Sequence, residues 1–234
     1  MAHHHHSHNH NHNHDDHGHS LYGELMCHLP HAIFSVAFSL MILTLVTYFS
    51  AGLMQPRAAC QGAHMLFHAF HFMHIVFAAT GTVVTFCRFS RNVWKMLIVG
   101  TICPIVFCAM SDIIIPYIAG RLLGVAMHFH VCFYSELANV LPFLVMGIIN
   151  GYAMSRHPAA QRSHATVSHI SHIFVSSLAS SFYLVSHGFT DWYLQIGLVF
   201  VFLVIAVVVP CTLSDVIVPI FFAKAGNKDE KHQV

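Results

Sequence analysis

The sequence predicts an all-α, polytopic membrane protein whose six transmembrane helices form a 3+3 inverted-topology repeat. Three observations lead there. Only 8% of the 234 residues are charged and 56% are hydrophobic, whereas soluble domains carry about 25% charged residues. Apolar runs long enough for the ~20 residues that a hydrocarbon core demands recur six times along the chain. Finally, the polar motifs of the first half return in the second half in the same order.

The chain divides into a His-rich tail (1–19), a first three-helix unit (20–120), a second (121–224) and a C-terminal tail (225–234). The tail "MAHHHHSHNHNHNHDDHGH" holds ten of the 24 histidines. His alternating with Asn, Ser and Asp cannot bury a core, so this segment is expected to be disordered and to bind Zn or Ni with modest selectivity. Its interrupted pattern differs from the uninterrupted run of a purification tag.

The first span, 30–53, has no small-residue cleavage site after a short apolar core, which makes it a retained helix rather than a signal peptide. The second, 63–86, contains "HMLFHAFHFMH". At 100° per residue, His64, His68 and His71 fall within about 60° of arc, and His74 widens the stripe to about 120°. A lipid-facing stripe would leave the ring nitrogens unsatisfied, so it must face protein, water or a metal.

The third span, 96–119, carries "SDIIIP" (Ser111, Asp112, Pro116), and the sixth, 194–223, carries "SDVIVP" (Ser214, Asp215, Pro219). Proline lacks an N–H, so the carbonyl four residues earlier loses its helical partner. Here that carbonyl belongs to the aspartate, which places a carboxylate and a freed backbone oxygen at one level of a kinked helix. The fourth span, 124–154, holds Glu136, an intramembrane acid suited to proton coupling, to ligation in one conformation or to pairing with His128, His130 or a neighbouring helix, and the small-xxx-small pattern Gly147 to Gly151, suited to bundle packing or dimerisation. The fifth, 165–187, has His169 and His172 one turn apart, with His164 well round the helix.

The repeat rests on three matches. "HAIF" from His31 answers "HVCF" from His130, "HAFH" at 68–71 answers "HISH" at 169–172, and "SDIIIP" answers "SDVIVP", at offsets of 99, 101 and 103 residues. Three spans per half is an odd number, so the second half would enter the bilayer from the opposite side, as in many secondary transporters.

Lys and Arg set the orientation. Eight (Arg88, Arg91, Lys95, Arg156, Arg162, Lys224, Lys228, Lys231) lie on the side of the termini and two (Arg57, Arg121) on the other. The positive-inside rule then puts both termini in the cytoplasm. Seven cysteines without a CxxC suggest neither a disulfide framework nor a zinc finger, and those within spans read as small hydrophobes. His28, His31, His128 and His130 stand near span starts, as points of ion access or as ordinary interface residues.

Together these features imply a transporter of a divalent transition metal, Zn, Ni or Co, rather than an enzyme. The metal ligands are expected among His64, His68, His71, His74, Asp112, His169, His172 and Asp215, with Glu136, Ser111 and Ser214 in accessory or proton-coupling roles. The alternative is a b-type cytochrome or metal-dependent membrane oxidoreductase, with haem held by histidines of facing helices. A membrane hydrolase is weaker still, because there is no HExxH. Expected partners are metal ions, the lipid bilayer and further copies in a homo-oligomer. Without a basic patch, nucleic acid is not expected.

The His-rich tail, together with His and Asp inside spans, resembles in kind the small His-rich bacterial divalent-metal (nickel, cobalt and zinc) transporters. That resemblance implies the bacterial inner (plasma) membrane. The HxxxxDH signature of the nickel–cobalt permeases is missing from this sequence, so no residue role is carried over.

Overall fold

Gly, Pro and capping residues punctuate a chain that is otherwise helical. The computed structural model describes residues 21–53, 56–130, 136–156 and 158–231. The 1–19 tail and the side chain of His164 lie outside what is described. The helices are α1 (Leu21–Leu53), α2 (Pro56–Phe89), α3 (Val93–Ala109), α4 (Ile115–Leu122), α5 (Leu137–Ser155), α6 (Pro158–Ser186), α7 (Ile196–Thr212) and α8 (Val218–Lys231), with a short 3₁₀ turn at Trp192–Gln195. There is no strand among the described residues.

Two helices widen where the sequence places its Ser-Asp pairs. A π turn, Met110–Ile114, joins α3 to α4, and another, Leu213–Ile217, joins α7 to α8. In each the amide just past the turn reaches back five residues, Ile115 N–H to Met110 O and Val218 N–H to Leu213 O. The next residue is Pro116 or Pro219, which has no N–H to continue the regular ladder. Such wide turns occur often at functional sites.

Asn92 starts α3 by accepting the Lys95 N–H on its side-chain oxygen at 3.1 Å. Gly124, at φ +84°, ends α4, and Val125 N–H returns to the Gly120 carbonyl. Gly188, at φ +115°, ends α6 in the same way, with Phe189 N–H on Leu184 O. The Gly124 stop changes the reading of the fourth span. Residues 125–130 are not helical, α5 begins only at Leu137, and Glu136 stands half-buried just ahead of it rather than inside a span. Met127 is buried, and His128 N–H binds His187 O at 3.1 Å, so this connection is fastened to the end of α6. At the other end of the chain, α8 stays helical to Lys231, through residues expected to form a tail.

Among the described residues five segments are long and apolar enough to cross a bilayer: Leu25–Ser50, Cys60–Phe89, Val93–Leu122, Leu137–Ser155 and Trp192–Ala225. Their outer faces carry Phe34, Phe38, Met41, Ile98, Ile102, Leu141, Met146 and Ile205, all exposed. Such a broad apolar exterior suits lipid rather than water. The described residues thus form a helical protein with five helical segments long and apolar enough for a membrane.

The 29-residue α6 is the exception, being rich in serine and histidine. Its neighbours account for this. Residues 175–184 are all buried, and Ser176, Ser177, Ser180 and Ser181 bond to helical carbonyls, to Ser39 of α1 or to the Ser111–Asp112 segment. Helix α6 packs chiefly on α2, and the two form the middle of the bundle. Packing is reciprocal: α1 lies on α6 and α7 more than on α2, and α5 lies on α2 more than on α6.

Glycine makes the α2–α5 approach possible. A Cβ at Gly147 would come 2.7 Å from the Val76 carbonyl, and one at Gly151 would come 2.8 Å from the Thr80 carbonyl. The Gly147–Gly151 pattern therefore serves packing within the bundle. Gly147→Ala should lower stability by about 1–3 kcal/mol through overpacking. Gly62→Ala, where a Cβ meets nothing within 4 Å, should be neutral. Thermal unfolding of both variants in detergent tests this, and equal midpoints would show that α2 and α5 are not held at backbone contact.

Candidate metal centre

Asp112 sits on the first π turn, fully buried, facing α2 and α6. Its Oδ2 accepts the Nδ1–H groups of His71, at 2.8 Å, and His74, at 2.7 Å. Its Oδ1 accepts the hydroxyls of Ser111, at 2.7 Å, and Ser176, at 3.0 Å. The donor assignment follows from chemistry, because an ionised carboxylate only accepts. Every oxygen is thus served, and three elements converge on one group.

The second π turn repeats the theme incompletely. Asp215 Oδ2 meets His172 Nδ1 at 2.5 Å and His169 Nδ1 at 3.4 Å. Asp215 Oδ1, His169 Nε2 and His172 Nε2 are all buried without a hydrogen-bond partner. Ser214 does not supply Asp215 as Ser111 supplies Asp112; it binds Thr82 of α2 instead. Gly81 of α2 makes room, since a Cβ there would stand 2.8 Å from Asp215 Oδ2. This aspartate also borders a cavity of about 410 Å³ lined by Cys27, His28, His31 and His169.

The two networks meet at the seam between α2, α6 and α7. The rings of His74 and His172 are 4.6 Å apart, centre to centre, and His74 Nε2 lies 3.8 Å from Cys211 Sγ. Ligand atoms of His74, His172 and Cys211 lie within 4.8 Å of one another, and all three residues are buried. His169, His172 and Asp215 satisfy the same distance. Both imidazoles give their Nδ1 protons to carboxylates, which leaves the Nε2 lone pairs for a Lewis acid. That carboxylate–histidine arrangement is how proteins orient metal-binding imidazoles. No Lys or Arg pairs with either aspartate among the described residues.

Of the residues singled out in the sequence, the structure gathers His71, His74, Asp112, Ser111, His169, His172 and Asp215 around this seam. His64 and His68 stand apart, with His130 and His187, toward the N-terminal end of α2. Glu136 lies near that second group and interacts electrostatically with His68 and His130. Burial and the charge on His64 push the His130 imidazole below its ordinary pKa, and Glu136 opposes them.

The pairing of the recurring sequence motifs also differs from the one the sequence suggests. Each aspartate takes a His-x-x-His pair from one helix, His71/His74 for Asp112 and His169/His172 for Asp215. "HFMH" at 71–74, rather than "HAFH" at 68–71, is thus the partner of "HISH", at an offset of 98. Cys211 and Ser176 were not legible as site residues. For Cys211 a signal existed: the recurring motif is C-x-x-S-D, with Cys108 and Cys211 in matching places. Cys108 is buried, like Cys211.

Comparison with known protein families, curated proteins and solved structures finds no match to this chain.

Losing one donor to a charged group costs less than orphaning two imidazoles. Ser176→Ala should therefore destabilise by about 1 kcal/mol and Asp112→Ala by about 3–5 kcal/mol. Denaturant unfolding in mixed micelles provides the measurement. Equal, small losses would show that this network does not hold α2, α6 and the π turn together.

Proposed function

We propose that the protein is a membrane transporter of a divalent transition-metal cation, with zinc the substrate its donors suit best. The observation that carries this reading is the meeting of His74, His172 and Cys211 at a buried seam, beside an aspartate with an orphaned oxygen. Imidazole suits Zn, Cu, Fe and Ni, while thiolate selects Zn and Cu(I), so zinc is the divalent ion common to both. Asp112 and Asp215 supply the negative charge that offsets a 2+ ion in a low-dielectric interior.

In this reading α6 is also a span, the fifth in chain order, shielded from lipid by α1, α2 and α7, and the halves form a 3+3 inverted repeat. Support comes from the matched π turns, from the two His-x-x-His pairs, and from the exchange by which α1 lies on α6 and α5 on α2. Rocking of the two units would expose the seam alternately to each side. His172 belongs to both ligand groups, so an ion can pass from the cavity-facing set, with His169 and Asp215, to the deeper set without losing that ligand. In this reading the cavity, which Arg88 also lines, opens to the cytoplasmic side, and the Lys and Arg distribution supports that orientation. The haem alternative is less well supported: axial imidazoles must stand on opposite faces of a macrocycle, whereas these rings are 4.6 Å apart.

The test is uptake of Zn²⁺, Ni²⁺, Co²⁺ and Mn²⁺ into proteoliposomes. Saturable flux should be greatest for Zn²⁺, be lost in His172→Ala and Cys211→Ala, and persist when residues 2–19 are deleted. Asp112→Asn, which only perturbs the orientation of the ligands, should weaken apparent affinity by about 10–100-fold. Unchanged flux in folded His172→Ala and Cys211→Ala proteins would rule out the seam as the transport site.

A further inference from the structure

The second histidine group has a geometry of its own. His64 and His68 are one turn apart on α2, and their Nε2 atoms lie 3.3 Å from each other. The His130 ring is 6.1 Å from His64 and 5.8 Å from His68, and the His187 ring is 5.9 Å from His64 and 5.8 Å from His130. Four nitrogens bound tetrahedrally to zinc at ~2.0–2.1 Å stand about 3.3–3.4 Å apart, with ring centres roughly 5 Å apart. The His64–His68 pair is already at that nitrogen spacing, and no three of the four residues yet bring ligand atoms within 4.8 Å of one another, so the His130 and His187 rings must turn and close onto the pair. A hydrogen bond between His64 and His68 explains their own approach, but it does not gather His130 and His187 around them.

The supporting contacts also fit ligation. Nδ1 of His187 is 3.0 Å from the Tyr183 carbonyl and 2.8 Å from the Ser186 hydroxyl; the carbonyl can only accept, so a proton on Nδ1 serves it and leaves the Nε2 lone pair for a metal. Tyr183 stacks on the His187 ring at 4.0 Å, and its hydroxyl accepts the His130 N–H at 3.5 Å. His128 N–H closes the frame on the His187 carbonyl at 3.1 Å. The loop before α5 and the end of α6 therefore hold one another in place beside α2. Glu136 supplies nearby negative charge.

We infer that His64, His68, His130 and His187 form a second binding site for a divalent transition-metal ion, separate from the seam. His64 precedes His74 by ten residues, about 15 Å along α2, and the cavity beside Asp215 lies beyond His74 in the other direction, near Gly81 and Arg88. The site stands at the opposite end of the bundle from that cavity. It needs neither Cys211 nor transport.

Diethylpyrocarbonate labelling of the purified full-length chain, mapped by mass spectrometry across buffered free Zn²⁺, tests this residue by residue, so metal on the N-terminal tail does not interfere. His64, His68 and His130 should become protected together at one midpoint, in the unmodified chain and equally in Cys211→Ser. His187→Gln should raise that midpoint at least tenfold. Three unrelated midpoints, or no protection in the unmodified chain, would overturn the site without touching the seam. Loss of flux in Cys211→Ala together with intact protection would separate the two centres.

Discussion

A carboxylate buried among apolar helices must be surrounded by donors or not be charged at all, and Asp112 shows how this chain meets that condition. An isolated ionised carboxylate in a low-dielectric interior costs more than a domain's whole stability margin. Four hydrogen bonds, from His71, His74, Ser111 and Ser176, remove that cost. The donors come from α2, the π turn and α6, so satisfying one side chain fixes three elements against one another. Placement of the imidazoles follows: once Asp112 has taken their Nδ1 protons, the ring planes and the directions of the Nε2 atoms are set.

Small residues let the neighbours of α2 come close. Two π turns bring aspartates inward, Asp112 to histidines of α2 and Asp215 to histidines of α6. On the α8 side this closeness is absolute, because Asp215 occupies the volume in which a side chain at position 81 would sit. On the α5 side, Gly147 and Gly151 let that helix lie directly on the carbonyls of α2. Buried serines on α6 extend the pattern. Each replaces a methyl-sized apolar contact with a hydroxyl that returns to a carbonyl four residues back or bridges to a neighbour, so a polar helix sits in the middle of the bundle without orphaned hydroxyls.

Much of this was legible in the residue order, and what was not has physical causes. Length and composition of the apolar runs reveal helices for a membrane, since nothing in water would cover them. The Ser-Asp-x-x-x-Pro pairs are visible because proline and buried acid are both rare in such runs. Three histidines spaced by three, His68, His71 and His74, offer two overlapping His-x-x-His pairs, and periodicity cannot choose between them; only contact with Asp112 does. A single cysteine among valines has the same hydropathy as its neighbours, so Cys211 showed as core. The helix of the fourth span, α5, starts later than the sequence predicts because residues 125–130 are apolar enough to pass for helix, while Gly124 and the bond from His128 to His187 decide otherwise.

The two aspartates are matched in sequence and unequal in surroundings, and the inequality has a consequence. Around Asp112 every acceptor position counted above is filled by protein, so that group has nothing left to offer a ligand except the orientation of its histidines. Around Asp215 one oxygen and two ring nitrogens are buried without a hydrogen-bond partner, and Asp215 and His169 line a cavity. A duplicated motif in which both copies were closed would be a structural brace, and one in which both were open would carry two uncompensated charges into the apolar interior. One of each leaves a single aspartate whose polar neighbours are incompletely satisfied. Buried polar atoms without partners cost about 1–3 kcal/mol each, so an ion that satisfies three of them gains that energy on binding, before any bond of its own to Cys211 is counted.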